Sequence, residues 1–404
     1  MADRDVVVVG GGPVGLTAAL ALHARGHTPT VVEAGTEDRV RPGSRAIFIH
    51  RESLQVLERI QPGLGHALNA HGVVWTTKRT LYRGRLLYHR RYGPLPEGTL
   101  PPATSLPQVV TEQVLCSACR DAGIEFIWNT TVVRAAACAD GVVLETDRSG
   151  PISSRYVIAA DGARSAVRES SGLTLEGPRT TNAFAIVDVA EDPAAPRPLE
   201  RVFHYEHPEV GYRNVLTVPF AGHWRIDLQC HADDDPEAFS GPDGVRRWLP
   251  QAMPERYADR VTWVSTYVFR QAIANSFTDE RRKILLVGEA AHLFAPFGAR
   301  GLNSGIADAY IAALAVDRAL VAAAPQGSAR AIDDFAETRR AAAARNRAAS
   351  STALRHLVAS STVDRVIRRA GGLLAPWVTS IARWMDRAPY GPQLGGVDRD
   401  GMRY

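Results

Sequence analysis

Apolar positions come first in this chain as a short unbroken run. Val6 to Val9 are four successive valines, the pattern of a buried strand, and an alanine- and leucine-rich stretch of helical length carries on to Leu22. After Gly26-His27 a second β-rich stretch, Thr28 to Val32, ends in Glu33. The segment RPGSRAIFIHRESLQVLERI predicts a loop carrying Arg45, then a helix opened by Arg51 or Glu52 and closing near Ile60. From about Val73 to Leu106 the pattern shifts to short β-like pieces and a proline-rich run, an excursion from what precedes it. Helical spacing returns in QVVTEQVLCSACRDAG, and EFIWNTTVVRAAACADGVVLETD reads as strands with a turn at Asp140-Gly141. Tyr156 to Ala160 is another buried strand, closed by Asp161-Gly162. Alternating stretches from about Thr180 to Val268 predict a largely antiparallel sheet with one helix around Pro242 to Pro250. The chain then returns to a strand, a turn and a long helix over KILLVGEAAHLFAPFGARGLNSGIADAYIAALAVDRAL. From residue 331 it is mostly helical, until an irregular tail near Pro389.

Chemistry enters at the first turn. Gly10, Gly12 and Gly15 fall on the GxGxxG spacing between strand and helix, with Pro13 at the helix start. Gly10 allows the tight turn, Gly12 lets a pyrophosphate approach the backbone, and Gly15 lets the helix pack close to the sheet. The helix N-terminus then meets the phosphates. Glu33 lies 18 residues past Gly15, close to the roughly 20 expected of a carboxylate on a ribose hydroxyl, so the turn suits an adenosine with a free 2′-OH. FAD and NAD both fit this much, and an ordinary glycine-rich βα turn is the bland alternative.

Composition narrows the class. With 404 residues, 45% hydrophobic and 22% charged, the chain is of ordinary globular composition and long enough for two or three domains. The N-terminus has no export-signal pattern and no stretch is long enough to span a bilayer, which makes a cytoplasmic location the expectation. The formal charge of +4 rests on scattered arginines, with Lys78 and Lys283 the only lysines, which is no nucleic-acid footprint. The arginines of the C-terminal region leave a membrane or partner surface open beside the default of a solvated helix face. Cys116 and Cys119 form a CxxC inside a predicted helix, open to a redox dithiol or half a zinc site; without a second CxxC or paired histidines, core packing is preferred and no metal is expected.

Four segments then act together: the glycine turn with Glu33, Gln108 with Glu112, ADGARSAVR at 160–168, and GEAAHLFAPFGARGLNSGIADA at 288–309. Their order resembles the FAD-dependent group A aromatic monooxygenases, the para-hydroxybenzoate hydroxylase-like family. The resemblance implies an α/β fold with a discontinuous Rossmann-like FAD-binding domain over 1–72, 108–179 and 277–330, a largely antiparallel β-sheet substrate domain over 73–107 and 180–276, and a C-terminal helical region and tail over 331–404. It implies that Gly10, Gly12, Pro13, Gly15 and Glu33 bind the ADP half of FAD, with Arg45 and Gln108 near the pyrophosphate and ribityl chain. Asp161 and Gly162 match the family's DG motif, where Arg164 and Arg168 are open to a role with NAD(P)H or in holding the fold. Gly288 and Glu289 stand in the family's GDAAH segment, whose acid contacts the ribityl side of FAD; here the acid is one methylene longer. Pro296 would flank the isoalloxazine, Gly298 and Gly301 would leave it room to move, and Leu302 and Asn303 would offer backbone N–H groups to its pyrimidine side.

The implied reaction is hydroxylation of a phenolic or polycyclic aromatic small molecule. NADH or NADPH as transient co-substrate would reduce FAD, and dioxygen would add to it as a hydroperoxide that attacks the ring. His204, Tyr205, Tyr212, His223 and Tyr267 are candidates to favour a phenolate, with no one of them assigned a catalytic role. A flavin halogenase is disfavoured, since a WxWxIP segment is missing. A flavin reductase or dehydrogenase and a non-catalytic aromatic-ligand-binding flavoprotein remain alternatives, as do monomer and homodimer.

Overall fold

The computed structural model describes residues 4–392. The irregular tail expected beyond Pro389 therefore lies, from residue 393, outside the described residues.

Two sheets organise the chain. The strand Arg4–Val9 lies between Thr30–Val32 and Ile152–Ala159, parallel to both, and Glu125–Ile127 and Ile284–Leu286 extend the parallel layer on its two sides. Val6, Val7, Val8 and Val9 are all buried, because helices cover both faces of a parallel sheet and leave no polar side to alternate with. Val132–Cys138 and Gly141–Thr146 add an antiparallel hairpin and complete seven strands. This sheet is assembled from widely separated stretches of sequence, so the α/β layer is discontinuous. The strand expected from Thr28 begins only at Thr30, and the one expected from Tyr156 begins earlier, at Ile152.

The second sheet also has seven strands, in the order Val261–Arg270, Arg179–Ala190, His223–Gln229, Arg213–Phe220, Glu200–His207, Thr77–Tyr82, Arg85–Arg91. It is antiparallel throughout, except where Glu200–His207 runs parallel to Thr77–Tyr82. One face packs Val187, Trp224, Ile226 and Leu228 against the helix Pro242–Ala252. The opposite face carries Phe184, Phe203, Tyr205 and Phe269 and turns toward the segment around Phe297 and the C-terminal helices. Those helices are the 34-residue Pro325–Val358, Thr362–Leu374 and Thr379–Arg387, whereas the helix Arg300–Val321 packs into the core of the first sheet against Pro13–His23.

Candidate functional site

The first turn is built by three glycines under different constraints. Gly10 has φ +104°, and a Cβ there would lie 2.5 Å from the Ala160 carbonyl oxygen. A Cβ on Gly15 would lie 1.9 Å from the Gly10 carbonyl oxygen, so the helix Pro13–His23 rests directly on the turn that precedes it. At Gly12 the situation is reversed: nothing stands within 4 Å of the Cβ position. The helix opens there with no side-chain cap, leaving first-turn N–H groups toward open space.

Glu33 ends its strand beside this turn and is buried. It accepts hydrogen bonds from Gly11 N (2.5 Å) and Gly35 N (2.7 Å), and pairs with Arg39 at 2.9 Å. Arg39 also donates to the Gly11 carbonyl (2.6 Å) and approaches Glu112 at 3.7 Å, while Gln108 donates to Glu112 at 2.9 Å. Glu33, Arg39, Glu112 and Gln108 thus form a continuous polar belt. Arg39 was not singled out in the sequence, although it is the arginine in contact with both the acid and the glycine turn. Arg45 has an exposed side chain bonded to the Pro42 carbonyl, and its neighbour Ser44 accepts from Gln108 N at 3.0 Å.

The segment from Gly288 docks on the same helix. Cβ atoms at Gly288 and Gly305 would meet the Val14 side chain at 3.1 and 2.5 Å, so both glycines permit close approach to the first turn. Asp161 adjoins Gly10 from the other side. One of its carboxylate oxygens accepts from Val167 N (3.1 Å), the other is buried with no partner among the described residues, and burial raises its pKa above the ordinary carboxylate value. Arg168 is buried and donates to the Ala290 (3.2 Å) and Ala163 (3.3 Å) carbonyls; these bonds hold the DG loop to the Glu289 segment. Arg164 is exposed.

Glu289 and Pro296 are exposed. Gly298 (φ +80°) and Ala299 (φ +52°) turn the chain into the helix Arg300–Val321, where a Cβ at Gly301 would again meet nothing within 4 Å. Leu302 is half-buried in the first helical turn. The Asn303 side chain is fully engaged: its oxygen accepts from His50 N (2.9 Å) and Ser53 Oγ (2.7 Å), and its nitrogen donates to the Phe48 (3.0 Å) and Ala299 (2.7 Å) carbonyls. What Asn303 leaves for a ligand is its backbone N–H.

Three buried residues tie this segment down. His292 Nε2 lies 2.6 Å from Asp308, Arg339 Nε donates to the same carboxylate at 2.7 Å, and Gly288 N donates to it at 3.1 Å. Nothing in the local pattern around positions 292, 308 and 339 announces this long-range network.

The sheet face opposite is aromatic. Phe184, Phe269 and Phe297 lie with ring centroids 5.3–5.6 Å apart, and Tyr267 is 5.3 Å from Phe269. Tyr267 is 40% accessible, yet burial, with the Glu289 charge adding to it against Arg225, pushes its phenol up to about 12. Its ring stands beside Phe269 at the open side of this aromatic face. The other candidates are elsewhere: Tyr205 is buried and donates to the Met385 carbonyl (2.7 Å), and Tyr212 is exposed at a turn. The His204 ring accepts from Gly84 N with its pKa lowered to about 3 by burial and His207, while His223 contacts the Ala221 carbonyl in a hairpin. Cys119 is buried with its thiol 3.7 Å from the Leu16 carbonyl, and burial raises its pKa, which makes it a packing residue.

The residues present fit FAD. Two uncapped helix starts, the Cβ-free openings at Gly12 and Gly301, an Asp161 oxygen with no partner among the described residues and the buried Glu33 belt would suit the phosphates and ribose of such a cofactor. Together they are the features of a dinucleotide-binding protein.

Comparison with known proteins carries the identification further. Residues 3–350 match the family described as FAD binding domain. Para-nitrophenol 4-monooxygenase of Pseudomonas sp. (strain WBC-3) is 31% identical over 350 residues, covering 83% of this chain and 82% of that protein. The 6-methylpretetramide 4-monooxygenase of Streptomyces rimosus is 32% identical over 318 residues, 76% of this chain and 54% of its own length; the chain spans about half the length of that and several similar relatives. The crystal structure of p-nitrophenol 4-monooxygenase from Pseudomonas putida DLL-E4 superposes with a TM-score of 0.77 at 26% identity, covering 96% of this chain and 98% of that one. The chain belongs to the FAD-binding-domain family, that of the group A FAD-dependent aromatic hydroxylases.

Proposed function

We propose that this protein is an FAD- and NAD(P)H-dependent monooxygenase that hydroxylates a phenolic or polycyclic aromatic small molecule. The observation that carries the reading is the aromatic cluster that joins the second sheet to the segment after Glu289: Phe297, next to Pro296, packs on Phe184 and Phe269, with Tyr267 beside Phe269. The chemistry that bound FAD supplies is hydride acceptance from NADH or NADPH and activation of dioxygen. Gly10, Gly12, Pro13, Gly15 and Glu33 hold the ADP half. Arg45, Gln108 and Asp161 flank the middle of the cofactor, Gly288 and Glu289 its ribityl side. Pro296, Gly301 and the backbone of Leu302 and Asn303 frame the ring system. Phe184, Phe269 and Phe297 exclude water from the aromatic substrate. The 1–72, 108–179 and 277–330 segments act as the FAD domain, 73–107 and 180–276 as the substrate domain, and 331–404 as a C-terminal helical region. No helix among the described residues is long and apolar enough to cross a membrane, and we place the enzyme in the cytoplasm as a monomer or homodimer.

With a pKa near 12, Tyr267 stays protonated across the working range and acts as a hydrogen-bond donor to the substrate oxygen, not as a base. Tyr267→Phe is expected to lower kcat/KM by roughly 10- to 100-fold, the worth of one hydrogen bond to a charged acceptor, with flavin content unchanged. The shape of the pH profile below pH 10 should be the same in both enzymes; an ionisation lost in the variant would show that Tyr267 titrates instead. Glu289→Asp should retain flavin, while Glu289→Ala should weaken it by roughly 1.5–3 kcal/mol, measured by flavin titration.

The decisive experiment uses labelled dioxygen. Para-nitrophenol, named in one relative's activity, and a panel of polycyclic phenols should include one compound that accelerates NAD(P)H oxidation and gains one labelled oxygen. A product without label would rule out monooxygenation and leave a flavin reductase.

A further inference from the structure

The helix Thr362–Leu374 is inside out. Its polar residue Arg368 points into the protein, donating to Glu206 at 3.0 and 3.1 Å and to the Leu357 carbonyl at 2.7 Å. Its outward face is apolar: Val363, Val366 and Leu373 are 66%, 61% and 57% exposed. Rotation cannot hide that stripe. Gly371 and Gly372 press the helix so close to its neighbours that added Cβ atoms would lie 2.7 Å from the Trp384 ring and 2.5 Å from the Tyr82 ring. The glycine pair and the buried Arg368 ion pair therefore lock the apolar face outward, although each exposed side chain forgoes roughly 1.5–3 kcal/mol of burial.

The surface continues into the next turn and helix. Trp377, at the tip between Thr362–Leu374 and Thr379–Arg387, is 78% exposed, with the Arg85 guanidinium 5.7 Å from its ring. Arg365, Arg369, Arg383 and Arg387 are all exposed around the apolar stripe. Negative charge is withdrawn from it. Between residues 361 and 390 the only acids are Asp364, which is bonded to its own cap Ser361, and Asp386, which is buried against Lys78.

We propose that this face docks on the surface of a bilayer containing anionic phospholipid. Apolar side chains and Trp377 would enter the headgroup boundary, and the arginine rim would pair with lipid phosphates. Charge decides the occupant. A second copy seated on the same patch would bring the arginine rims together, since a two-fold interface sets like surfaces face to face. An anionic lipid surface neutralises them. Because no helix among the described residues can span a membrane, the protein lies on the surface.

The test is co-sedimentation of the full-length FAD-loaded protein with phosphatidylcholine vesicles, with and without phosphatidylglycerol. The protein should sediment with phosphatidylglycerol vesicles, stay in solution with phosphatidylcholine alone, and be released by high salt. Each removed arginine should weaken binding by roughly fivefold, so Arg383→Glu with Arg387→Glu should abolish most of it. Leu373→Ser with Trp377→Ser should also abolish it, at unchanged flavin spectrum and melting temperature, since both side chains are exposed and outside the flavin groove. Two results would overturn the proposal. One is absence of vesicle binding, whether or not light scattering finds a dimer that the double serine variant dissolves. The other is vesicle binding that none of these substitutions, nor salt, weakens.

Discussion

Gly12→Val is expected to give a folded, colourless protein. The backbone at position 12 has φ −78° and ψ 177°, extended geometry that valine adopts freely, and no atom stands within 4 Å of the Cβ position. The folded chain loses nothing by the change. On the proposed site the pyrophosphate of FAD needs that empty space, and the valine methyl groups would stand where its phosphates are to come. Gly15→Val is the counter-case. Its Cβ would sit 1.9 Å from the Gly10 carbonyl oxygen, a backbone atom that cannot yield without moving the strand or the helix. That variant should lose flavin and melting temperature together. Visible flavin absorbance after gel filtration, read beside a circular-dichroism melt, separates the two outcomes. Full flavin occupancy in Gly12→Val would show that the cofactor phosphates lie elsewhere.

The contrast between Gly12 and Gly15 also marks how far the sequence could be read. The valine run, the GxGxxG spacing and the strand ending in Glu33 are local patterns, and local patterns follow from burial on both faces and from backbone freedom. They placed the α/β layer and the antiparallel sheet correctly, with errors of two to four residues at strand starts such as Thr30 and Ile152. What local patterns do not carry is the identity of partners from distant elements. Arg39 and Arg45 look equivalent in sequence, but only the first folds back onto Glu33 and Gly11. Tyr267 is one of five aromatic or histidine candidates; alternation says that residues 265, 267 and 269 share a face, not that the face meets Phe297. The Asn303 side chain, similarly, is consumed by Phe48, His50 and Ser53, some 250 residues away. At Thr362–Leu374 the sequence predicts a helix with a solvated arginine face as the default, and only the Arg368–Glu206 pair and the glycine contacts reveal that an apolar face looks outward.

Asp308 concentrates this long-range information in one carboxylate, and its removal should have the largest effect on stability. Its side chain is 1% exposed and receives Arg339, His292 and the Gly288 N–H. Asp308→Ala leaves the Arg339 guanidinium buried without its carboxylate, which costs about 3–5 kcal/mol by the general behaviour of broken buried pairs. Because Gly288 opens the flavin segment, the loss should appear at the cofactor as well, as faster flavin release. The pH dependence follows from the same contacts. Burial by itself would raise the Asp308 pKa, but Arg339 and His292 outweigh it and hold the carboxyl below its ordinary value. A carboxylate with a depressed folded pKa binds fewer protons in the native state than in the unfolded one. Its contribution is therefore complete above the unfolded value of about 3.9 and is lost as pH falls through the lower folded value. Urea unfolding at neutral pH should show the full difference between wild type and Asp308→Ala. In acid the two should converge, wild type losing stability more steeply as the carboxylate is protonated. Equal stabilities at neutral pH would mean that Arg339 and His292 are held by their other surroundings and that Asp308 does not clamp the flavin segment.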